Sequence, residues 1–241
     1  MSFPPRFILR GVLAALALVL MLVWVNMAKP LSPNEVPVAC YRELKLVNGV
    51  PEGWSIVRKA GTPKIKVMKV GDVYFFHLES DARSGFGIER PINVDIREYR
   101  YINWTWRAMR LPEGGDIRRP GADDQALQIY IALSPLGFPQ KLNTPVLTYL
   151  WDNEAPKGTV VKSSSPLTKY VRYLIVRNGD DELGRWITEK RNIYEDYKAL
   201  FRDVKNGEPP GPTQGIRIYI NSQHTGSSAE GYIGNIYFSR N

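Results

Sequence analysis

Segment 101–134 begins and ends with a run in which apolar and polar residues strictly alternate. This pattern constrains the fold more than any other feature of the chain. The apolar members are Ile102, Trp104, Trp106 and Ala108 in the first run and Leu127, Ile129, Ile131 and Leu133 in the second. A period of two is typical of a strand with one buried face. The segment therefore predicts two half-buried strands joined by a charged loop.

Most of the remaining chain shows short strand patterns, separated by loops that contain proline or glycine. The predicted strands cover residues 54–57, 64–67, 73–78, 84–88, 94–99, 146–151, 170–176, 216–221 and 232–238. Residues 64–78 predict a hairpin that turns at Gly71-Asp72. This spacing is that of an antiparallel β-sandwich rather than of alternating strands and helices. The fold class predicted is all-β.

One helix interrupts the strand pattern. Apolar residues recur near one helical face between Trp186 and Phe201, and the prolines of segment 207–212 follow. We predict a helix over residues 189–202, lying against an edge or an end of the sandwich. Four nearby charged residues are interpreted as an ion-pair network that fastens the helix to the sheet: Arg107, Glu189, Arg191 and Asp196.

The N-terminus carries a membrane signal. Residues 11–28 contain no charge, and Arg6 and Arg10 precede them. The charged start predicts a cytoplasmic N-terminus, with the bulk of the chain outside. We divide the chain into a signal anchor or transmembrane helix (1–28), a linker (29–50) and a β-sandwich domain (51–241). A single-pass protein of the inner membrane with a periplasmic body is expected; a cleaved, secreted form is the alternative.

Charge and cysteine content restrict the partners. The formal net charge is +8, of which +6 remains once Arg6 and Arg10 are set aside. A basic excess suits anionic lipid or acidic polysaccharide, and export argues against nucleic acid. The single cysteine, Cys40, excludes an internal disulfide, so that stability depends on the core.

Motifs for chemistry are sparse. The sequence has no glycine-rich phosphate loop and no serine nucleophile elbow, and His77 and His224 are its only histidines. We interpret His77 as structural and His224 as the better functional candidate. Loop acids such as Asp124 and Asp152 leave a carbohydrate-active enzyme open as one hypothesis. No cofactor is predicted; calcium is left open, although no loop shows its ligand spacing.

A binding function rests on aromatic rings beside planar polar groups, which together suit sugar rings and their hydroxyls. Tyr101, Asn103, Thr105 and Arg107 share one strand face, and Gln128 and Tyr130 would join them if the two strands pair. The predicted ligand-binding residues are Tyr101, Asn103, Arg107, Asp123, Asp124, Gln128, Tyr130, Trp151, Asp152, Asn153, Asn221 and His224.

Several landmarks in a fixed order suggest a known family. They are Trp104-x-Trp106-Arg107, Asp123-Asp124 ahead of Ile129-Tyr130-Ile131, Tyr149-x-Trp151, the run from Trp186 through Glu189 and Asp196-Tyr197 to Phe201, and Tyr232-x-Gly234-x-Ile236-x-Phe238. Together they resemble the bacterial domain-of-unknown-function family numbered 3047. The resemblance implies an exported sandwich of jelly-roll type, broadly similar to galactose-binding-like and carbohydrate-binding modules. It implies no activity.

These observations lead to three functional hypotheses. The first is a membrane-tethered, extracytoplasmic, non-catalytic domain that binds glycan of the envelope or of the extracellular space. The second is a structural or assembly subunit of a cell-envelope protein complex, which would expose an apolar patch. The third is the enzyme that uses loop carboxylates.

Overall fold

The computed structural model describes residues 32–41, 43–163 and 165–241, in which two packed β-sheets enclose one apolar core. The strands are β1 (Glu35–Ala39), β2 (Leu46–Val47), β3 (Val50–Pro51), β4 (Ser55–Ala60), β5 (Ile65–Val70), β6 (Val73–Ser80), β7 (Gly85–Pro91), β8 (Tyr101–Arg110), β9 (Leu127–Leu133), β10 (Val146–Trp151), β11 (Val160–Lys162), β12 (Val171–Arg177), β13 (Ile187–Asn192), β14 (Thr213–Asn221) and β15 (Ala229–Ser239). One α-helix, α1 (Ile193–Leu200), lies in this part of the chain.

The strand order is that of a jelly roll. One sheet has the order β13-β8-β15-β6-β5, with β1 also paired to β15, and the other has the order β11-β12-β10-β9-β14-β7-β4. Successive strands β6 to β9 alternate between the two sheets, as do β14 and β15. The neighbours are antiparallel except for β10 and β12, which are parallel. We call these the six-stranded sheet and the seven-stranded sheet.

Large aromatic side chains join the sheets through the core. Trp104 and Trp106 of β8 face Tyr149 and Trp151 of β10, with ring centroids 5.1 Å and 5.4 Å apart, and all four side chains are fully buried. The period-two pattern explains this, because every second residue of each strand points inward. Apolar burial on this scale is the main stabilising contribution in a chain without disulfides.

The predicted strands are largely confirmed, but one expected pairing is wrong. The predicted hairpin of residues 64–78 forms as β5 and β6, and strands 101–110 and 146–151 have the predicted bounds. However, β8 and β9 do not pair, since they lie in opposite sheets. The long connection after Arg110 crosses from one sheet to the other, as jelly-roll topology requires. Residues 94–99 are a loop rather than a strand.

The predicted helix is shorter than expected, because residues 187–192 form β13 and pair with β8. The Asn192 side chain accepts a hydrogen bond from the Glu195 amide at 3.1 Å and caps α1. Part of the predicted charge network is confirmed: Arg191 holds Asp196 at 2.6 Å. Glu189 instead pairs with Arg177 at 2.6 Å.

The predicted linker also differs from the structure. Residues 35–39 form β1 and pair with the last strand, Glu35 opposite Ser239, so this part of segment 29–50 belongs to the sandwich. The proposed membrane segment, residues 1–28, lies outside the described residues. Among residues 32–241, apart from 42 and 164, no helix combines the length and apolar character needed to cross a bilayer.

Candidate functional site

A cleft of about 910 Å³ lies on the outer face of the seven-stranded sheet. Its floor comes from β4, β7, β14, β9, β10 and β12, and its walls include residues of the loops before β10 and β12. Strand register aligns one residue from each strand into a row that runs across the sheet: Ser55, Glu89, Arg217, Tyr130, Thr148 and Tyr173.

Three of the four tyrosines that line the cleft lie close together. The Tyr130 ring lies 6.4 Å from that of Tyr173 and 6.2 Å from that of Tyr219, nearly perpendicular to both. Burial raises the pKa of all three phenols, that of Tyr219 to about 12, and the charge of Asp123 adds to each increase. The hydroxyls therefore stay protonated at neutral pH and can both donate and accept hydrogen bonds.

A chain of side-chain hydrogen bonds orients the polar groups at the centre. Tyr130 Oη donates to Gln128 Oε1 at 2.5 Å, and Gln128 Nε2 donates to Asn221 Oδ1. Asn221 Nδ2 in turn donates to Asp124 Oδ1 at 2.7 Å. Asp124 is fully buried and also accepts from the amide and hydroxyl of Thr225. Asp124 thus anchors this series of hydrogen bonds inside the protein and does not contact a ligand.

Arg217 and Glu89 place an ion pair beside the tyrosines. They are opposite residues on adjacent strands, and two hydrogen bonds of 2.9 and 2.6 Å join the guanidinium to the carboxylate. Both side chains remain about two-fifths exposed, 41% and 40%. A pair this exposed adds little to stability. It does present charged donors and acceptors to the cleft.

One hydroxyl in the cleft has no partner. The Tyr219 Oη atom is buried and forms no hydrogen bond within the described residues. A Cβ atom at position 85 would lie 3.0 Å from it and still closer to Gln223 Oε1, so Gly85 allows these two polar groups to approach the strand. A buried polar atom without a partner is unfavourable. A ligand hydroxyl or a water molecule would satisfy it.

Asp123 lies at the end of the cleft near Asn221. Burial raises the pKa of its carboxyl group, while the neighbouring His224 and Lys59 side chains act in the opposite direction. The His224 Nδ1 atom is 2.8 Å from the Asp123 carbonyl oxygen, which fixes the imidazole at this end.

Four of the predicted site residues line the cleft: Asp123, Gln128, Tyr130 and Asn221. The position of His224 is given by its contact with Asp123 at one end of the cleft. The structure therefore brings together residues from the loop before β9, from β9 itself and from the end of β14. Their proximity depends on β14 lying between β7 and β9.

The other predicted residues lie elsewhere. Tyr101, Asn103 and Arg107 belong to β8 of the six-stranded sheet, so they cannot join Gln128 and Tyr130 in one patch. The remaining three, apart from the buried Asp124, lie near the end of β10: Trp151, Asp152 and Asn153.

Hydrogen bonds within the protein explain the positions of these three residues. Trp151 is buried in the core and donates to the Asn178 carbonyl, and Asn153 donates to the Pro112 carbonyl at 3.0 Å. The fully buried Asp152 carboxylate accepts hydrogen bonds from three backbone amides and from the Gln125 side chain. The expectation that Trp151 and Asp152 form a ligand-binding rim is wrong, because neither is accessible.

Sequence reasoning missed several cleft residues, chiefly Lys59, Glu89, Tyr173, Arg217 and Tyr219. A usable signal exists in β14, where outward Arg217, Tyr219 and Asn221 alternate with three buried isoleucines. The same alternation of apolar and polar residues predicts the strands β8 and β9.

His77 is confirmed as a structural residue. Its Nε2 atom lies 3.0 Å from a Glu230 carboxylate oxygen, and its ring stacks on Tyr232 with centroids 4.3 Å apart. Within the described ranges, no group of three or more His, Cys, Asp and Glu side chains is arranged to hold a metal ion.

Comparison with known families identifies the chain. The family model described as protein of unknown function (DUF3047) matches residues 52–237. The chain belongs to the DUF3047 family. The match spans β4 to most of β15, so it includes the cleft and both sheets. None of the curated proteins matches the sequence.

Solved structures resemble this DUF3047 protein at low identity. One is the family 11 carbohydrate-binding module of the cellulosomal cellulase Lic26A-Cel5E of Clostridium thermocellum, at 10% identity and a TM-score of 0.46, covering 85% of this chain and 94% of that one. Another is the xyloglucanase domain of NopAA from Sinorhizobium fredii, at 10% identity and a TM-score of 0.45, covering 79% and 95%. At these identities and TM-scores, the likeness identifies neither a ligand nor a reaction.

Proposed function

We propose that this DUF3047 protein is a non-catalytic glycan-binding protein that holds a sugar chain in the cleft of the seven-stranded sheet. The observation that carries the proposal is the row across that sheet, in which Tyr130 and Tyr173 lie beside the Arg217–Glu89 pair. Aromatic rings suit the C–H faces of sugars, and charged planar groups suit pairs of hydroxyls.

The cleft also has the size and organisation that a flexible polar ligand needs. A volume of about 910 Å³ is at the upper end of the range for small-molecule sites and holds several sugar rings. The hydrogen-bond chain from Tyr130 to Asp124 fixes the polar groups before a ligand arrives. Groups that are already oriented lose less entropy on binding.

Binding without catalysis is favoured by the state of the carboxylates. Asp124 and Asp152 are buried and saturated with hydrogen bonds from the protein, so neither can reach a glycosidic bond. Two acids line the cleft, Asp123 and Glu89, and Glu89 is engaged in an ion pair with Arg217. Glycoside hydrolysis requires two accessible carboxyl groups whose pKa values differ.

The location is part of the same proposal. The apolar segment 11–28, preceded by two arginines, would hold the protein in the inner membrane with its sandwich on the periplasmic side. Alkaline extraction of membranes and the intact mass of the mature chain test this. A chain released by alkali, or one that lacks residues 1–28, would contradict the anchor.

A glycan array followed by calorimetry tests the binding function. The full chain is probed with fragments of cell wall and of exopolysaccharides. Tyr173→Ala should lower the affinity for a bound fragment by ten- to a hundredfold, about 1.4–2.8 kcal/mol. Tyr101→Ala is the matched control, because Tyr101 is a partly exposed tyrosine on the outer face of the other sheet. Failure of the folded protein to bind any fragment, or an equal loss in the control, would contradict the proposal.

A further inference from the structure

Two loops at one end of the sandwich carry the most exposed large apolar side chains of the described chain. Phe138, in loop 134–145 between β9 and β10, is 92% exposed, and Leu167, in loop 163–170 between β11 and β12, is 67% exposed. Single exposed apolar residues are ordinary, but Phe138 and Leu167 are the two most exposed large apolar side chains and lie on neighbouring loops.

The loops are neighbours because the strands that follow them pair in parallel. Val146 at the start of β10 lies opposite Val171 at the start of β12, and the Val146 amide donates to the Tyr170 carbonyl. Each loop contains one lysine, Lys141 or Lys169, and neither contains an acidic residue. Apolar tips accompanied by lysines are typical of segments that enter the headgroup layer of a membrane.

The same end of the sandwich receives the chain from the N-terminal apolar segment. β1 begins at Glu35 opposite Ser239, the last residue of β15. Ser239 also lies opposite Tyr101, the first residue of β8, and the connection 92–100 joins β8 to the end of β7 at Pro91. Pro91 lies opposite Gly215, which pairs with β9 near its end, where β10 starts. The two loops and the start of β1 therefore lie at the same end of the sandwich.

The tether is too short for these loops to stand far from a bilayer. Because β1 takes up residues 35–39, at most residues 29–34 separate the apolar segment from the sandwich. From Ala28 to Glu35 the chain reaches about 25 Å at most. A linker that extended to residue 50 would have allowed a much larger separation.

We infer that this end of the sandwich rests on an anionic lipid surface, with Phe138 and Leu167 entering the interfacial layer and Lys141 and Lys169 meeting the headgroup phosphates. The inference rests on the proposed membrane anchor, but not on glycan binding. A lipid surface fits better than a protein partner, because the exposed apolar groups are two isolated tips rather than a continuous face of the size that stable protein interfaces need.

This arrangement would orient the cleft. Leu142 and Thr144 of the first loop and Leu167 and Thr168 of the second line one end of it. That end would adjoin the lipid headgroups, and the end at Asp123 would point away. A glycan bound along the row of residues that crosses the sheet would then lie parallel to the membrane at a fixed height.

Spin labels on the full chain in lipid nanodiscs test the inference. A Cys40→Ser background removes the native thiol, and nitroxides are attached after Phe138→Cys or Leu183→Cys. Leu183 is the matched control because it is exposed, at 43%, and follows the opposite end of β12. For each label, the relaxation caused by oxygen is divided by that caused by a water-soluble nickel chelate. In discs with 30% anionic lipid, this ratio should be at least threefold higher for the label at 138 than for the label at 183. Discs of neutral lipid, or Lys141→Ala with Lys169→Ala, should reduce that ratio.

Three outcomes would overturn the inference. A label at 138 as accessible to the nickel chelate as the label at 183, in a chain that is incorporated in the disc, removes the lipid contact and leaves the anchor intact. A chain that does not incorporate into the disc would contradict both the anchor and the lipid contact. Protection at 138 that appears only when a glycan is added would assign the loops to the cleft. Calorimetry on the Phe138→Cys and Leu183→Cys variants reports the glycan site independently, because neither residue lines the cleft, whereas Lys141 does.

Discussion

The outer faces of the two sheets carry similar residues but use them differently. On the seven-stranded sheet, Tyr130 and Tyr173 line an open cleft beside Arg217. On the six-stranded sheet, the Arg107 guanidinium lies 5.7 Å from the Trp186 ring centroid and 5.9 Å from that of Tyr232, so arginine and aromatic rings cover one another. The same residue types thus form a candidate site on one face and a packed layer on the other.

The difference comes from what the neighbouring strands supply. Trp186 also packs on Phe75 of β6, at 4.4 Å, and Tyr232 stacks on His77. On the seven-stranded sheet, Gly87 lies opposite Tyr219 and Gly215 lies opposite Pro91, so these outward positions carry no side chain. The loops before β10 and β12 form walls instead of covering the floor. Whether an outward residue is available for binding therefore depends on residues from other strands.

The largest expected effect separates the core from both faces. Trp151→Ala should lower the free energy of unfolding by about 3–5 kcal/mol, because it leaves a cavity between the sheets and removes the contact with Trp106. Denaturant unfolding measures this. Trp186→Ala, on the partly exposed face, is the control and should have a clearly smaller effect. Equal effects would mean that the aromatic layer of the six-stranded sheet is as important for stability as the core.

The next effect concerns the support beneath the cleft. Asp124→Ala should lower the free energy of unfolding by about 3 kcal/mol, because it leaves the Asn221 side-chain amide and the Thr225 amide without their acceptor. It should also weaken glycan binding through Gln128 and Tyr130, which calorimetry would detect. Asp72→Ala, at an exposed turn, should change stability by less than about 0.5 kcal/mol. If Asp124→Ala changed neither the free energy of unfolding nor the glycan affinity, the hydrogen bonds from Tyr130 to Asp124 would not have the proposed structural role.

A pair of arginine substitutions tests the comparison directly. Arg217→Ala should reduce glycan affinity about tenfold, or 1.4 kcal/mol, with little effect on stability, since its ion pair is exposed. Arg107→Ala should leave affinity unchanged and lower stability by about 1 kcal/mol through lost contact with Trp186 and Tyr232. Calorimetry and denaturant unfolding on both variants provide the measurements. Loss of affinity in Arg107→Ala would move the site to the other sheet.

The sequence predicts the strands well because alternation is a local property. β8 and β10 have the predicted bounds, and Trp104 and Trp106 are buried as their pattern indicates. The sequence pattern predicts a helix for residues 189–192 of β13, because the pairing of this strand with β8 depends on residues far away in the chain. The entry of β1 into the sandwich depends on β15 in the same way.

The site was harder to predict than the strands for a related reason. Alternation shows that Tyr101 and Tyr130 both point outward, but not that they lie on opposite sheets. Tyr173 and Arg217 join Tyr130 only through the order of β14, β9, β10 and β12. The buried state of Asp124 and Asp152 likewise follows from loop packing, which a run of acidic residues does not reveal.

The smallest expected effect compares an acid in the cleft with one outside it. Burial raises the pKa of Asp123, so its favourable contribution to folding is complete below the pKa of the unfolded chain and is lost as the pH rises through the folded-state value. Asp123→Asn should therefore stabilise the protein increasingly, relative to the wild type, as the pH rises from 3 toward 7. Urea unfolding at a series of pH values measures this difference.

For Asp203, which lies outside the cleft, we expect the stability difference between variant and wild type to have the opposite sign. A hydrogen bond from Lys162 lowers the pKa of its carboxyl group, so its contribution is present above the unfolded-state pKa and is lost as the pH falls through the lower folded-state value. Asp203→Asn should thus destabilise the protein near pH 7, and the difference from the wild type should close on acidification. If both variants changed in the same direction with pH, Asp123 would not be desolvated, and the end of the cleft would be more open to water than its burial indicates.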